Sequence, residues 1–330
     1  MRVLVTGCGG FLGAEIVRQL LARGDDVLGL GRRDYPQLTE AGMQQVRGDV
    51  RNQTAVLRAT EDVDAVIHTA AIAGVWGAYQ HYFETNTLGT RHVIEACRQR
   101  EIRSLVFCSS PSVTFGGDDQ TGVDESEPYP DDYLCYYPRT KAAAEQEVLA
   151  ANQPGRLLTC ALRPHLIWAP DDPHLFPRLI QRARAGRLVR VGSGENLIDT
   201  IHVRNAAHAH LLALDRISSG ETEAAGRAYF LSQGEPVGCW AWLSEILTAA
   251  GVEVPTRSIS YRTAYKIGHG LELIYAATRR TSEPPMTRFV AAQLAKDHYF
   301  DITAARRLLG YEPIISTAEG LAELKSQWRD

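Results

Sequence analysis

One feature restricts this chain more than any other: a glycine turn set between its first strand and its first helix. Val3-Leu4-Val5 runs into Thr6-Gly7-Cys8-Gly9-Gly10-Phe11-Leu12-Gly13 and then into helix-forming Ala14-Glu15-Ile16-Val17. The spacing G-x-x-G-x-x-G has a physical purpose at that position. Gly7 permits a tight turn, Gly10 lets backbone amides approach a pyrophosphate at the positive helix end, and Gly13 lets helix and strand pack closely. Phe11 and Leu12 complete the turn that would contact the cofactor. A glycine cluster alone could be an ordinary turn, but its place between strand and helix predicts a dinucleotide site.

The first half then alternates two hydrophobic periods. Short β-branched runs at Arg2 to Thr6, Asp26 to Leu30, Ala65 to His68 and Ser104 to Cys108 are separated by helical spacing, and Leu158 to Leu162 reads as a further strand. Strands alternating with helices predict an α/β fold, a Rossmann-type doubly wound parallel sheet. Helices are expected over Gly13 to Arg23, Asn86 to Gln99 and Tyr137 to Ala151. After Arg163 the chain becomes Pro-rich, through Pro164, Pro170, Pro173 and Pro177, and 330 residues exceed one ordinary core. A smaller, mostly helical substrate lobe is therefore expected over 165–330, after a dinucleotide-binding domain over 1–164 to which about 197–215 and 228–233 return. In the less readable stretch 251–300, Ile267, Leu271, Ile274 and Tyr275 fall on one helical face, as core or as the wall of an apolar trough.

The second strand ends Leu28-Gly29-Leu30-Gly31-Arg32-Arg33, where an acidic residue would hold the ribose 2′-hydroxyl of NAD. Guanidinium is offered instead, so NADP(H) is expected to be preferred, with NAD(H) as the other cofactor; two solvated surface arginines are the alternative. Asp49-Val50 follows the third strand and Thr69-Ala70-Ala71 the fourth, where small residues let a flat cofactor lie on the sheet edge. Asp49 could cap an adenine and Asn86 could brace the fourth-strand loop, or each could be a helix N-cap.

Tyr137-Pro138-Arg139-Thr140-Lys141 opens a helix and puts Tyr137 and Lys141 on one face. A phenol is a poor acid near neutrality unless an ammonium lowers its pKa, which Lys141 is placed to do. Ser109-Ser110-Pro111-Ser112 lies where the fifth strand ends, so a hydroxyl there can bond a substrate carbonyl.

Other chemistry is disfavoured. With 35 Lys+Arg against 39 Asp+Glu there is no basic stripe for nucleic acid. The six cysteines form no CxxC pair, which suits a reduced, cytoplasmic protein. No signal peptide or membrane-length apolar run is read. The histidines His165, His174, His202, His208 and His210 match no ligand motif, so no metal is expected, and Gly192-Ser193-Gly194 is a simple turn, not a hydrolase elbow.

Gly7, Gly10, Gly13, Ser110, Tyr137 and Lys141, in this order and spacing, resemble the extended short-chain dehydrogenase/reductase superfamily. Leu162-Arg163-Pro164-His165-Leu166-Ile167-Trp168, Asp172-Pro173-His174-Leu175 and Glu283-Pro284-Pro285-Met286 are similar to its 3β-hydroxysteroid dehydrogenase branch. The resemblance implies that Ser110, Tyr137 and Lys141 are catalytic, with Ser109 and Ser112 as near alternatives to Ser110. It also implies that Pro164 and Ile167 lie against the nicotinamide; Ala169 departs from the commoner Ile-Trp-Gly-Pro. The substrate it implies is a lipid-like β-keto acid with an alkyl branch between ketone and carboxylate, a sterol β-hydroxy acid being the runner-up. Such a carboxylate needs a cation, for which His165, Arg187, Arg190 and Arg204 are the candidates, with Ser112 nearby. A homodimer, and contact with a membrane surface or a pathway enzyme, are further expectations. A nucleotide-sugar epimerase or dehydratase and a non-catalytic dinucleotide sensor are the competing readings.

Overall fold

The computed structural model describes residues 1–328. Seven parallel strands form the central sheet in the spatial order Arg227–Leu231, Leu158–Pro164, Ser104–Cys108, Ala65–His68, Arg2–Thr6, Asp26–Gly31, Gln44–Arg47. The order reverses between Arg2–Thr6 and Ala65–His68, so a crevice opens at the carboxyl ends of these two strands. Val3 and Val5 pack toward the helices Phe11–Arg23 and Val203–Ser218, while Leu4 between them packs toward Val93, Ile94 and Val148 on the other face. Both faces being covered explains why these strands read as continuous apolar runs.

Helix boundaries follow local chemistry. The first helix ends at Gly24 in the left-handed region (φ 88°). The helix Tyr136–Ala150 tolerates Pro138 because the N–H groups of a first turn have no intrahelical partner. The helix expected over Asn86 to Gln99 starts upstream instead: a turn at Tyr79–Tyr82 passes through a wider π-type segment, Phe83–Leu88, before Gly89–Gln99. That widening leaves Asn86 inside the helical run and not at a cap.

The smaller lobe has its own core of Trp168, Phe176, Trp240, Trp242, Leu243 and Leu247. Its small sheet runs Val237–Gly238, Leu197–Ile198, His298–Phe300, Gln120–Val123. Gln120–Val123 thus joins this sheet from before the division drawn at 164, which the sequence reading did not foresee. The stripe Ile267/Leu271/Ile274/Tyr275 is not core. In the helix Tyr261–Ala277 the buried residues are Ala264, Gly268 and Glu272, while Ile267, Leu273 and Ile274 are 46%, 59% and 55% exposed. The reason is close backbone approach: a Cβ on Gly268 would lie 2.6 Å from the carbonyl carbon of Thr287, and Glu272 accepts from the Arg288 N–H (2.7 Å) and Nε (2.6 Å). Among the described residues no helix is long and apolar enough to cross a membrane.

Candidate active site

Two glycines of the turn are dictated by contact. Gly7 has φ +70° and a Cβ on it would come 2.8 Å from Ala70 N, while a Cβ on Gly13 would lie 2.2 Å from the Gly7 oxygen. The helix starting at Phe11 has no side-chain cap and no acidic residue in its first turn, so its amino-terminal N–H groups are open to an anion. Leu12 offers only backbone there, since its side chain lies in the core.

A cavity of about 420 Å³ surrounds this turn, lined by Gly7, Gly10, Arg32, Arg33, Asp49, Val50, Thr69, Ala70 and Ala71. Phe11 borders a second space that runs from Gly9 and Gly10 to Ala169, Pro170, Asp171 and Pro173. Asp34 faces Arg47 at 3.8 Å and Asp49 is clamped by Arg51 at 2.8 Å, so no carboxylate pairs with Arg32 or Arg33 among the described residues. Burial opposes charge on Asp49, but Arg51, with Arg32 beyond it, holds its carboxyl below the usual range. Asn52, not Asp49, caps the following helix. An uncapped helix end, a cradle that side chains would fill and two unpaired cations suit the phosphates of a dinucleotide.

Among the residues of this cavity that sequence reasoning did not assign to a site are Tyr35, Ile72, Thr85 and His174. The Tyr35 ring lies on the backbone of Gly9 and Gly31, where added Cβ atoms would come within 1.8 and 2.5 Å of it. One side chain on the neighbouring strand fixes the loop: Gln45 accepts from the Tyr35 N–H (3.1 Å) and donates to the Arg33 carbonyl (2.5 Å). Nothing in the residue types signals that bracket. Asn86 is buried under the fourth-strand loop, accepting from the Ile72 N–H (2.8 Å) and donating to the Ile72 carbonyl (3.0 Å) and Thr140 Oγ1 (3.1 Å). It therefore ties that loop to the Tyr137 helix.

On that helix, Thr140 is buried and the next residue, Lys141, is 2% exposed. The Lys141 ammonium donates to the Cys108 carbonyl at 2.6 Å and sits 3.9 Å from the centre of the Phe107 ring. Burial draws its pKa down to about 8, against the opposing influence of Cys108 and Glu145. Ser110 and Ser112 share a hydroxyl–hydroxyl bond of 2.8 Å, and the Ser112 N–H donates to Ser110 Oγ at 3.3 Å. Ser109 Oγ is buried without a hydrogen-bond partner among the described residues. The phenol of Tyr137 is not lowered as the sequence suggested. Burial and the nearby Cys108 thiol push its pKa up, and the neighbouring Ser110 hydroxyl offsets this only in part. The ammonium that was to lower it is engaged by the Cys108 carbonyl and the Phe107 face.

The lowered lysine makes a testable statement about stability. Lys141 holds its proton more weakly folded than unfolded, so between about 8 and 10.5 the unfolded chain binds more protons and stability rises with pH. Below that window the burial cost is fully present. Denaturant titrations should therefore show the wild type gaining on Lys141→Met from pH 7 to 10, by about 3 kcal/mol at most. A pH-independent difference between the two proteins would mean the ammonium is not buried.

The candidate cations are not brought together. His165 is buried and donates from Nε2 to His298 Nδ1 at 2.6 Å, because His298 Nε2 must itself donate to the Gln293 carbonyl (2.8 Å). Burial and the neighbouring His298 hold its pKa well below the ordinary value, so it is neutral and cannot serve as the cation. Arg204 already pairs with Glu323, beside the glycine turn. Arg187 is exposed past the helix Leu175–Arg184, and Arg190 leads the short strand Arg190–Val191, its Nε buried without a partner. Pro164 closes its sheet strand, and Ile167 pairs with Ile201 in a two-stranded ladder.

A 2-alkyl-3-oxoalkanoate reductase of Stenotrophomonas maltophilia (strain K279a) is 46% identical over 329 residues, covering 99% of both chains. Its counterpart from Shewanella oneidensis is 44% identical over 98% of this chain and 85% of its own length. The solved structure of MoeE5 in complex with UDP-glucose and NAD superposes with a TM-score of 0.75 at 26% identity, over 100% of this chain and 99% of that one. Residues 4–261 match the 3-beta hydroxysteroid dehydrogenase/isomerase family as a whole, and with relatives this similar along nearly its full length the chain belongs to that family of oxidoreductases.

Proposed function

We propose that this chain reduces the ketone of a lipid-like β-keto acid, converting a 2-alkyl-3-oxoalkanoate to the 2-alkyl-3-hydroxyalkanoate with NADPH. The observation that carries the reading is the near full-length similarity to two bacterial reductases of that substrate class. The Ser110, Tyr137 and Lys141 cluster supports it, because a sensor that only bound a dinucleotide would have no use for a buried phenol near Ser110 with a buried ammonium one turn along the same helix.

A bound nicotinamide supplies hydride to the ketone carbon. The proton comes from the protein: the Tyr137 hydroxyl gives it to the carbonyl oxygen as negative charge develops there, leaving an alcohol and a phenolate. Ser110, held by Ser112, hydrogen-bonds the same oxygen and orients it. Lys141, four residues on along the same helix face, is held by the Cys108 carbonyl and the Phe107 ring, and the high pKa that burial imposes on Tyr137 keeps the proton in place until the substrate needs it. Asn86 and Thr140 keep the helix and the fourth-strand loop in register.

Cofactor preference follows from Arg32 and Arg33, which line the cavity and form no salt bridge among the described residues, the cavity's Asp49 being clamped by Arg51. Charge-assisted bonds to a 2′-phosphate should favour NADPH over NADH by about tenfold or more in kcat/KM. Replacing both arginines with alanine should erase the preference while leaving NADH turnover unchanged; equal efficiency with both cofactors in the unaltered enzyme would refute this choice.

The substrate is tested by cofactor oxidation with a long-chain 2-alkyl-3-oxo acid, its methyl ester, a short unbranched analogue, a 3-oxo-sterol carboxylate and a nucleotide sugar. The long branched acid should be turned over best. Faster turnover of the short analogue or the sugar would end the assignment, and the sterol arm separates the runner-up.

A further inference from the structure

We propose that the outward face of the helix Tyr261–Ala277 docks on the surface of an anionic lipid bilayer. Three large apolar side chains, Ile267, Leu273 and Ile274, lie 46%, 59% and 55% exposed on this one helix. Ile267 and Ile274, seven residues apart, form one row along it, and Lys266 and Leu273 form the adjacent row, so cation and hydrocarbon share a face. Contiguous exposed apolar surface of this kind marks a contact site.

Charge identifies the occupant. Arg262, Lys266, Arg279 and Arg280 are all exposed along this segment, and its one carboxylate, Glu272, is buried on the opposite side against Arg288. The chain as a whole carries a formal charge of -4, so this basic strip runs against the general balance. Apolar side chains framed by Lys and Arg suit a helix lying in the headgroup layer of a negative membrane. The inward side is committed elsewhere: Gly268 presses on Thr287 and Arg288, leaving the outer face exposed among the described residues.

The docked face is linked to the active site. Trp76, in the loop that leaves the cofactor cavity after Ile72, donates its indole N–H to the Arg280 carbonyl at 3.0 Å and meets the Tyr275 ring edge-on at 6.2 Å. A bilayer under the helix therefore lies next to the entrance and not on a remote surface. The inference does not depend on the substrate reading.

The test is co-sedimentation of the full-length protein with vesicles of equal parts phosphatidylglycerol and phosphatidylcholine, and with vesicles of phosphatidylcholine alone, at low and high salt. Binding to the anionic vesicles should be about tenfold tighter at low salt and fall as salt screens it. The triple variant Ile267→Ser/Leu273→Ser/Ile274→Ser and the single variant Lys266→Glu should each weaken vesicle binding about tenfold, with unchanged turnover of a soluble ketone and an unchanged melting temperature. If the triple variant does not fold, Lys266→Glu alone carries the decision. Failure of the wild type to sediment with anionic vesicles, or equal binding by a folded variant, overturns the proposal. So does a wild-type dimer that the serine variant disperses in sedimentation velocity without any vesicle binding, since a second copy would then cover the face. Loss of vesicle binding with reductase activity intact, or the reverse, separates this inference from the proposed function.

Discussion

Tyr137→Phe should lose about 10² to 10⁴-fold in kcat while binding NADPH as tightly as the wild type, because it removes the proton-donating hydroxyl and little volume. The ring still fills its place at the start of the helix Tyr136–Ala150, and the glycine turn and the cavity around it are untouched. Ser110→Ala should lose less, since Ser110 only orients the oxygen that the phenol protonates. Steady-state kinetics paired with cofactor fluorescence titration checks both. A Tyr137→Phe enzyme with near wild-type turnover would remove the phenol from the mechanism, whatever the substrate proves to be.

The largest stability effect is expected about two turns further along the same helix. Glu145 is fully buried and accepts hydrogen bonds from Arg163 (2.6 Å) and from the Tyr129 hydroxyl (2.6 Å). Arg163 is itself 2% exposed, its guanidinium 4.9 Å from the centre of the Phe230 ring. Glu145→Ala would strand that guanidinium in the core, and breaking a buried pair from one side costs about 3–5 kcal/mol. Calorimetry should show the loss as a fall in melting temperature of roughly ten degrees. The double variant Glu145→Leu/Arg163→Met should recover most of it, since a buried ion pair replaced by packed hydrocarbon is often neutral. Equal damage from the single and the double variant would mean packing, not an abandoned charge, is responsible.

The parts of the molecule legible in the sequence are those set by short spacings. The glycine turn, its neighbouring strands and the Tyr137–Lys141 pair each span less than two helical turns, so residue types and intervals fix them directly. Contacts made across the chain were not legible. His165 reads as a cation until His298, 133 residues away, takes its proton-bearing Nε2 and burial makes it neutral. Arg204 reads as free until Glu323 reaches it. Tyr35 carries no motif, yet its ring lies on Gly9 because Gln45 pins the loop from the next strand. In the helix Tyr261–Ala277 the spacing showed an apolar stripe, as core or as the wall of a trough, but not which side faces in: the backbone of Thr287 and Arg288 selects the small face and leaves the isoleucines outside. The downward pull expected of Lys141 on Tyr137 failed for a similar reason, since the Cys108 carbonyl on another strand captures the ammonium.

The place of Arg227–Leu231 in the sheet has a consequence for how the chain reaches its native state. Its partner Leu158–Pro164 is fully buried, yet the two strands are separated by the helices Leu175–Arg184 and Val203–Ser218. Until the later strand arrives, the earlier one presents an open row of N–H and C=O groups flanked by aliphatic side chains, a template for pairing with another chain. Closing so long a loop before its contacts are rewarded is slow, as in any topology of high contact order. Aggregation therefore competes with folding at one identifiable edge, and the refolding yield, unlike the equilibrium stability, is governed by how quickly Tyr229, Phe230 and Leu231 cover it.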